Sequence, residues 1–261
     1  PLRRTFSSRI RSVYGSRATS QRDWSESSLI LDLFTREQGR IAVAAKGAKR
    51  PFSQLRSVLL PFQRLHVALG RDPAGDESRD VHTLRAADWA GGHAMLTGPA
   101  LFSGFYVNEL LMKLLARHDP HPKLFDVYGG TVAALGDADD AAAQAALRAF
   151  EIVLLREIGL LPDLAIETAS RRAVVAPRRY LVVAESGVVE SEGGREATAS
   201  GATLAALEAA LAGGDLRTLQ RAAGEALAEL RPLLRAQLHY HLGTSQLRTR
   251  QVMLESQALE R

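Results

Sequence analysis

The 261-residue sequence predicts an α+β chain in two parts, a small N-terminal β module and a mainly α-helical C-terminal domain with a small β-hairpin insertion. Three observations carry this. Between residues 28 and 84 the apolar residues fall in short runs separated by Gly, Pro and Asp turn signals, as short strands do. From residue 99 onward they recur mostly at spacings of three and four, the period of a helix face. The texture changes between residues 85 and 98, which divides the chain into a basic tail or degenerate first strand over 1–20, a β module over 21–88 and a helical domain over 89–261.

Taken in order, residues 1–20 carry Arg3, Arg4, Arg9, Arg11 and Arg17 among serines. They read as a frayed basic tail, with an organellar transit peptide as the alternative. Residues 29–34 and 41–45 are strand runs around a turn at 37–40, a hairpin. Gly47 and Pro51 break the pattern. Apolar runs resume at 58–62 and 65–69, residues 70–76 form a turn-rich loop, and 81–84 a further strand. Several short strands at regular spacing predict a small barrel or sandwich. Leu101, Phe105, Leu110, Leu111, Leu114 and Leu115 then mark a helix over 99–117, ended by the His118-Asp119-Pro120 turn. A second helix covers 123–135. A third starts at an acidic cap, Asp137-Ala138-Asp139-Asp140, and runs to Ile158, where Gly159 and Pro162 stop it. Residues 174–189 hold two β-rich runs, a small hairpin, and 191–201 a polar loop. Two helices close the chain over 202–211 and 215–240, with Pro232 expected to kink the second.

The composition, 46% hydrophobic and 24% charged, excludes wholesale disorder and leaves enough apolar material for a core. No window approaches the ~18 consecutive apolar residues of a bilayer-spanning helix, so no membrane partner is expected. The absence of cysteine excludes disulfides, a thiolate nucleophile and cysteine-ligated zinc, and fits a reducing cytoplasm. The net charge of +4 is unevenly spread. Residues 1–85 hold sixteen Lys and Arg against eight Asp and Glu, net +8, and the remainder is net −4. A one-sided basic region is the electrostatic footprint of a nucleic-acid or acidic-surface binder, set against an arginine-rich coding bias.

Enzyme signatures are missing: no phosphate loop, no Gly-x-Ser-x-Gly elbow and no His-Glu-x-x-His helix, so no catalytic residue and no cofactor is expected. His239 and His241 flank Tyr240 and point about 200° apart on a helix. His118 and His121 bracket a proline turn. The better candidate is the basic run 44–51. Lys46, Lys49 and Arg50 lie between a strand and Pro51, Gly47 permits close backbone approach, and Arg40 and Arg56 add reach. Such forks suit phosphate oxygens, and a solvated loop is the equal alternative. Of the nearby aromatics, Phe34 and Phe62 sit in apolar runs and read as core, whereas Phe52 reads as partly exposed.

The ordered segments at 24–35, 39–40, 45–50, 60–62, 104–111, 147–151, 158–159 and 242–250, among them Trp24-Ser25-Glu26, Ala45-Lys46-Gly47-Ala48-Lys49-Arg50 and Gly104-Phe105-Tyr106-Val107-Asn108-Glu109, resemble the RecO family of bacterial recombination mediators from about residue 24 to 252. The resemblance implies an N-terminal oligonucleotide-binding (OB) fold β-barrel followed by a helical bundle. It implies a cytoplasmic, nucleoid-associated protein that binds single- and double-stranded DNA, anneals complementary strands and, with RecR, helps RecA load on DNA coated with single-strand DNA-binding protein. Arg40, Lys46, Lys49 and Arg50 match the family's DNA contacts. Arg148 matches a position near the pocket for the acidic C-terminal tail of the single-strand binding protein. A protein-interaction adaptor with weak DNA contact is the alternative. Asn108 and Glu109 are expected to be structural. Zinc-carrying members insert a four-cysteine site, so here the corresponding span, 167–189, must be held by its strands. The family's first strand is apolar, whereas residues 15–21 are polar here, so either that strand is degenerate, which would leave an unpaired barrel edge, or the N-terminus differs from the family's.

Overall fold

The computed structural model describes residues 10–16, 23–25, 27–70, 81–91, 95–137, 139–193, 197–243, 247–249 and 251–253. The chain forms two compact units, one of residues 1–96 with Leu115–Asp126, the other of Thr97–Leu114 with the remainder.

The first unit is a β-barrel. Its strands are β1 (Ile10–Ser16), β2 (Asp23–Ser25), β3 (Ser28–Thr35), β4 (Gly39–Ala45), β5 (Arg64–Leu69) and β6 (His82–Trp89), hydrogen-bonded in the order β1-β5-β6-β4-β3-β2, with β1 also pairing with β3. That last pairing closes the sheet into a five-stranded OB barrel, on which β2 is an addition beside β3. The expected degenerate strand is therefore corrected. The first strand is Ile10–Ser16, which shares only Gly15 and Ser16 with the polar stretch, and its backbone pairs with β3 and β5, so polar composition did not prevent ladder formation. The tail at 1–9, most of the polar stretch and the 70–76 loop after Gly70 lie outside the described residues.

The barrel core follows from strand alternation. Leu29, Leu31 and Leu33 of β3 face inward opposite Ala45, Val43 and Ile41 of β4, and Leu65, Val67, Leu84 and Ala87 complete the interior. Asp32 and Phe34, which point outward from β3, are buried too, because Leu115–Asp126 lies on them: Phe125 packs on Phe34 with ring centroids 5.6 Å apart, and Arg117 reaches Asp32 at 3.5 Å. Between β4 and β5 the chain makes one short helix, α1 (Gln54–Val58), in what the sequence presents as a polar stretch; Leu55 and Val58 pack on the barrel core.

The second unit contains α2 (Gly98–Leu114), most of α3 (Pro122–Asp137), α4 (Asp140–Glu157), strands β7 (Arg179–Val183), β8 (Gly187–Glu190) and β9 (Thr198–Ser200), then α5 (Gly201–Gly213), α6 (Leu216–Glu225) and α7 (Leu227–Leu242). Its centre is α4, buried from Ala145 to Leu155 apart from Arg148. The Asp139 carboxylate accepts from Ala142 N at 2.8 Å as the N-cap, and Gly159 (φ +75°) ends the helix, as expected. The hairpin at 180–189 forms, with β9 as a third strand inside what reads as a polar loop. The 167–189 span is tied together by Thr168, whose N–H donates to Val188 O and whose Oγ1 accepts from Val188 N, both at 2.8 Å. The last predicted helix is two: the break falls at Ala226, not at Pro232, and Pro232 sits in the second turn of α7.

Candidate nucleic-acid interface

The basic loop is three successive tight turns. Ala48 N donates to Ala45 O, Arg50 N to Gly47 O and Ser53 N to Arg50 O, carrying the chain from β4 to α1. Ala48 is the anchor, fully buried in the barrel core, and Lys49 N donates to Ser27 O at 3.1 Å. Gly47 supplies the left-handed corner (φ +73°), and the Arg50 guanidinium group lies over the place its Cβ would occupy. With the backbone fixed, the side chains project: Lys46, Arg50 and Arg56 are exposed and Lys49 is half-buried. The sequence-predicted residues Lys46, Lys49, Arg50 and Arg56 therefore share one end of the barrel.

Arg40 does not join them. It opens β4 at the opposite end of the strand, about 20 Å from Lys46 at 3.3 Å per residue. There it is half-buried, its carbonyl accepts from His118 N at 3.0 Å, and it sits in a charge cluster with Asp32 and Arg117. Burial pushes the Asp32 carboxyl above its ordinary range, against the pull of Arg117 and Arg40, and burial lowers the Arg40 guanidinium.

Two further groups were missed by sequence reading. β4 and β6 run parallel with Val43 beside His82, which leaves the end of β4 level with Leu84, and β5 runs antiparallel to β6 with Leu65 beside Trp89. Arg64 and Trp89, both exposed, therefore stand where the chain rejoins the barrel at β5, and α1 packs against β6. One signal was available in the sequence: no Asp or Glu occurs between Glu37 and Asp72, so the whole excursion from β4 to β5 is free of carboxylates. Phe52 is more exposed than expected, at 99%, whereas Phe34 and Phe62 are core. Trp24 lies on β2.

Arg148 belongs to the second unit. It lines a cavity of about 360 Å³ together with the apolar Phe102, Leu147 and Leu238, a second cation, Arg235, and His239. Its Nη2 pairs with Glu151 Oε1 at 2.7 Å, and Tyr106 OH donates to the same oxygen at 2.5 Å. Glu151 is wholly buried, and burial raises its carboxyl above the ordinary range despite Arg148. Asn108 and Glu109 are structural, as expected: Asn108 Oδ1 accepts from Tyr128 OH at 2.7 Å, and Glu109 accepts from Arg248 N and Thr249 N, both at 2.9 Å. Among the described residues no cluster of three or more His, Asp or Glu is arranged to hold a metal, and no helix is long and apolar enough to cross a membrane.

Comparison with known proteins agrees with this architecture. Residues 18–90 match the family model "Recombination protein O N terminal" and residues 95–251 "Recombination protein O C terminal". The chain is 50% identical over 238 residues to DNA repair protein RecO of Polaromonas naphthalenivorans, covering 91% of this chain and 93% of that protein. It is 50% identical over 248 residues to its counterpart in Variovorax paradoxus, with the same coverage, and 48% over 239 residues to that of Verminephrobacter eiseniae. A closed OB barrel followed by a helical domain, matched over residues 18–90 and 95–251 by the two family models and at half identity by such relatives, makes the chain a member of the RecO family of recombination and DNA repair proteins.

Proposed function

We propose that this protein is a non-enzymatic recombination mediator that grips DNA at the α1 end of its barrel, anneals complementary single strands and, with RecR, helps RecA load on DNA coated with single-strand DNA-binding protein. It acts in the bacterial cytoplasm, at the nucleoid. The observation that carries this is the placement of Lys46, Lys49, Arg50 and Arg56 on the turn array and the short helix it leads into, a stretch of sequence without Asp or Glu. Such cations neutralise phosphates, release counterions and hold two strands close enough to pair. The second unit supplies the partner contact: the apolar side chains and the two cations that line the Arg148 cavity suit an acidic peptide with an aromatic end, such as the tail of the single-strand binding protein. An adaptor that recruits repair proteins and touches DNA weakly is the second reading, and that cavity is what favours it.

Replacing Lys46, Lys49 and Arg50 together by Ala separates the two. A mediator loses about tenfold or more in single-strand affinity at low salt, its slope of log K against log salt shrinks by about two, and annealing of coated oligonucleotides, with or without RecR, falls in step. Annealing at the wild-type rate would favour the adaptor.

A further inference from the structure

We propose that Glu109 is a positioning residue for partner recognition: its carboxylate fastens the segment after α7 to α2, so that Leu247 and Met253 form an apolar wall of the Arg148 cavity and select a peptide with an aromatic end. The inference rests on the reading of that cavity as the partner contact and adds a specificity determinant to it. An arginine holds the carboxylate of any acidic peptide, so the cations of the cavity do not by themselves choose among such peptides. Choice of an aromatic end needs apolar surface held in a fixed place.

α2 and the segment after α7 meet at this carboxylate. Glu109 Oε1 accepts from Arg248 N at 2.9 Å, and Oε2 accepts from Thr249 N at 2.9 Å and from Thr249 Oγ1 at 2.7 Å. Both oxygens of one side chain thus take donors from one dipeptide, and charge-assisted bonds of this kind fix the course of the chain there. Lys113, one turn further along α2, lies 3.5 Å from Oε1. The fastened segment buries little of itself: α7 ends at Gly243 in the left-handed conformation, Leu247 is buried, and Arg248, Gln251 and Val252 are exposed. Core packing alone therefore places it weakly, and the latch matters to where it lies. Leu247, Thr249 and Met253 line the Arg148 cavity beside Phe102 of α2, Leu147 of α4 and Leu238 of α7. Two of the five Leu, Met and Phe side chains around the cavity, Leu247 and Met253, come from the segment that Glu109 holds. Glu109 itself does not line the cavity, and its charge would repel an acidic peptide, so it acts through the wall it positions and not by contact.

The test uses the full chain and two labelled acidic peptides, alike except that one ends in Phe and the other in Ala, with binding followed by fluorescence anisotropy. The wild-type protein is expected to prefer the Phe-ended peptide by about tenfold or more. Glu109→Gln keeps the shape of the side chain but loses its charge and turns an amide N–H towards the donors of Arg248 and Thr249. It is expected to weaken the Phe-ended peptide about fivefold and to leave the Ala-ended one within about twofold, so that the preference shrinks. Met253→Ala, at a half-buried position, is expected to shrink the preference about threefold. Arg148→Gln, by contrast, should weaken both peptides alike and leave the preference as it is. Circular dichroism melting checks folding, and should Glu109→Gln fail to fold, Met253→Ala decides by the same ratio. A wild-type preference retained in Glu109→Gln overturns the proposal and leaves Glu109 a purely structural residue. Equal losses on both peptides, an unchanged preference in Met253→Ala, or a wild-type protein that binds both peptides equally overturn it as well. A wild-type protein that binds neither peptide removes the reading of the cavity itself, an outcome distinct from these.

Discussion

Gly39 closes the β3–β4 hairpin with φ +64°, and a Cβ added there would lie 1.8 Å from the Asp119 carbonyl oxygen. Both terms disfavour any other residue: the left-handed backbone alone costs about 1 kcal/mol or more for alanine, and the oxygen belongs to main chain that cannot rotate away. Gly39→Ala is therefore expected to lower stability by about 2 kcal/mol or more in urea unfolding, without altering the salt slope of DNA binding, since the basic loop is at the other end of β4. The same geometry explains why Arg40 reads as a ligand and is not assembled as one. In sequence it stands six residues from Lys46, close enough to belong to one basic cluster. In an extended strand six residues span the barrel, and Arg40 meets Asp32 and Arg117 instead. Trp89 is the converse case. It lies far from Arg64 in sequence and comes beside it only through the β5–β6 register, which composition does not encode.

Elements were legible where one local rule decides them. The β3–β4 hairpin shows as two alternating runs about a Gly turn, and α4 as an apolar stripe between an Asp cap and Gly159. Elements held by their neighbours were not. β1 is paired on both sides, α1 has only five residues, and β9 has three and exists because β7 offers an edge. A further tie of this kind secures the chain after α4. Arg156 donates from Nη1 and Nη2 to the two carboxylate oxygens of Glu208 on α5, at 2.8 and 2.7 Å, and from Nη2 to Pro162 O, while Leu164 N donates to Glu208 Oε2. The Arg156 hydrogen bonds, against burial, hold the Glu208 carboxyl below its ordinary value. A depressed carboxylate contributes stability that is present above its unfolded value and disappears as pH falls through the folded one. Glu208→Gln should thus cost about 1 kcal/mol at neutral pH, allowing for solvent screening. Its deficit relative to wild type should fade below the ordinary Glu range. Urea unfolding at stepwise lower pH reads this directly, and a deficit that persisted in acid would mean that packing, not charge, is what Glu208 provides.

At the scale of the whole molecule, charge divides as function is proposed to divide: net +8 over residues 1–85 and −4 beyond. The DNA-contacting cations belong to the first unit and Arg148 to the second, so their losses are expected to be separable. Removing Arg148 outright would leave Glu151 buried with one partner fewer, a large structural cost unrelated to binding. Arg148→Gln is the suitable variant, because its amide can still donate to Glu151. This variant should weaken binding of an acidic peptide with an aromatic carboxyl terminus about tenfold, the loss of one charge-assisted contact, and leave affinity for bare single-stranded DNA unchanged. Lys46→Ala, Lys49→Ala and Arg50→Ala combined should do the reverse. Residues that share no partner combine additively in free energy. On bare strands the four-fold variant should then anneal no worse than the triple one. On strands coated with single-strand binding protein, where both contacts act on the same substrate, the two defects should multiply. Annealing rates on coated strands that match the worse single defect would instead mean that one contact alone limits the reaction, and that the two units do not act together on it.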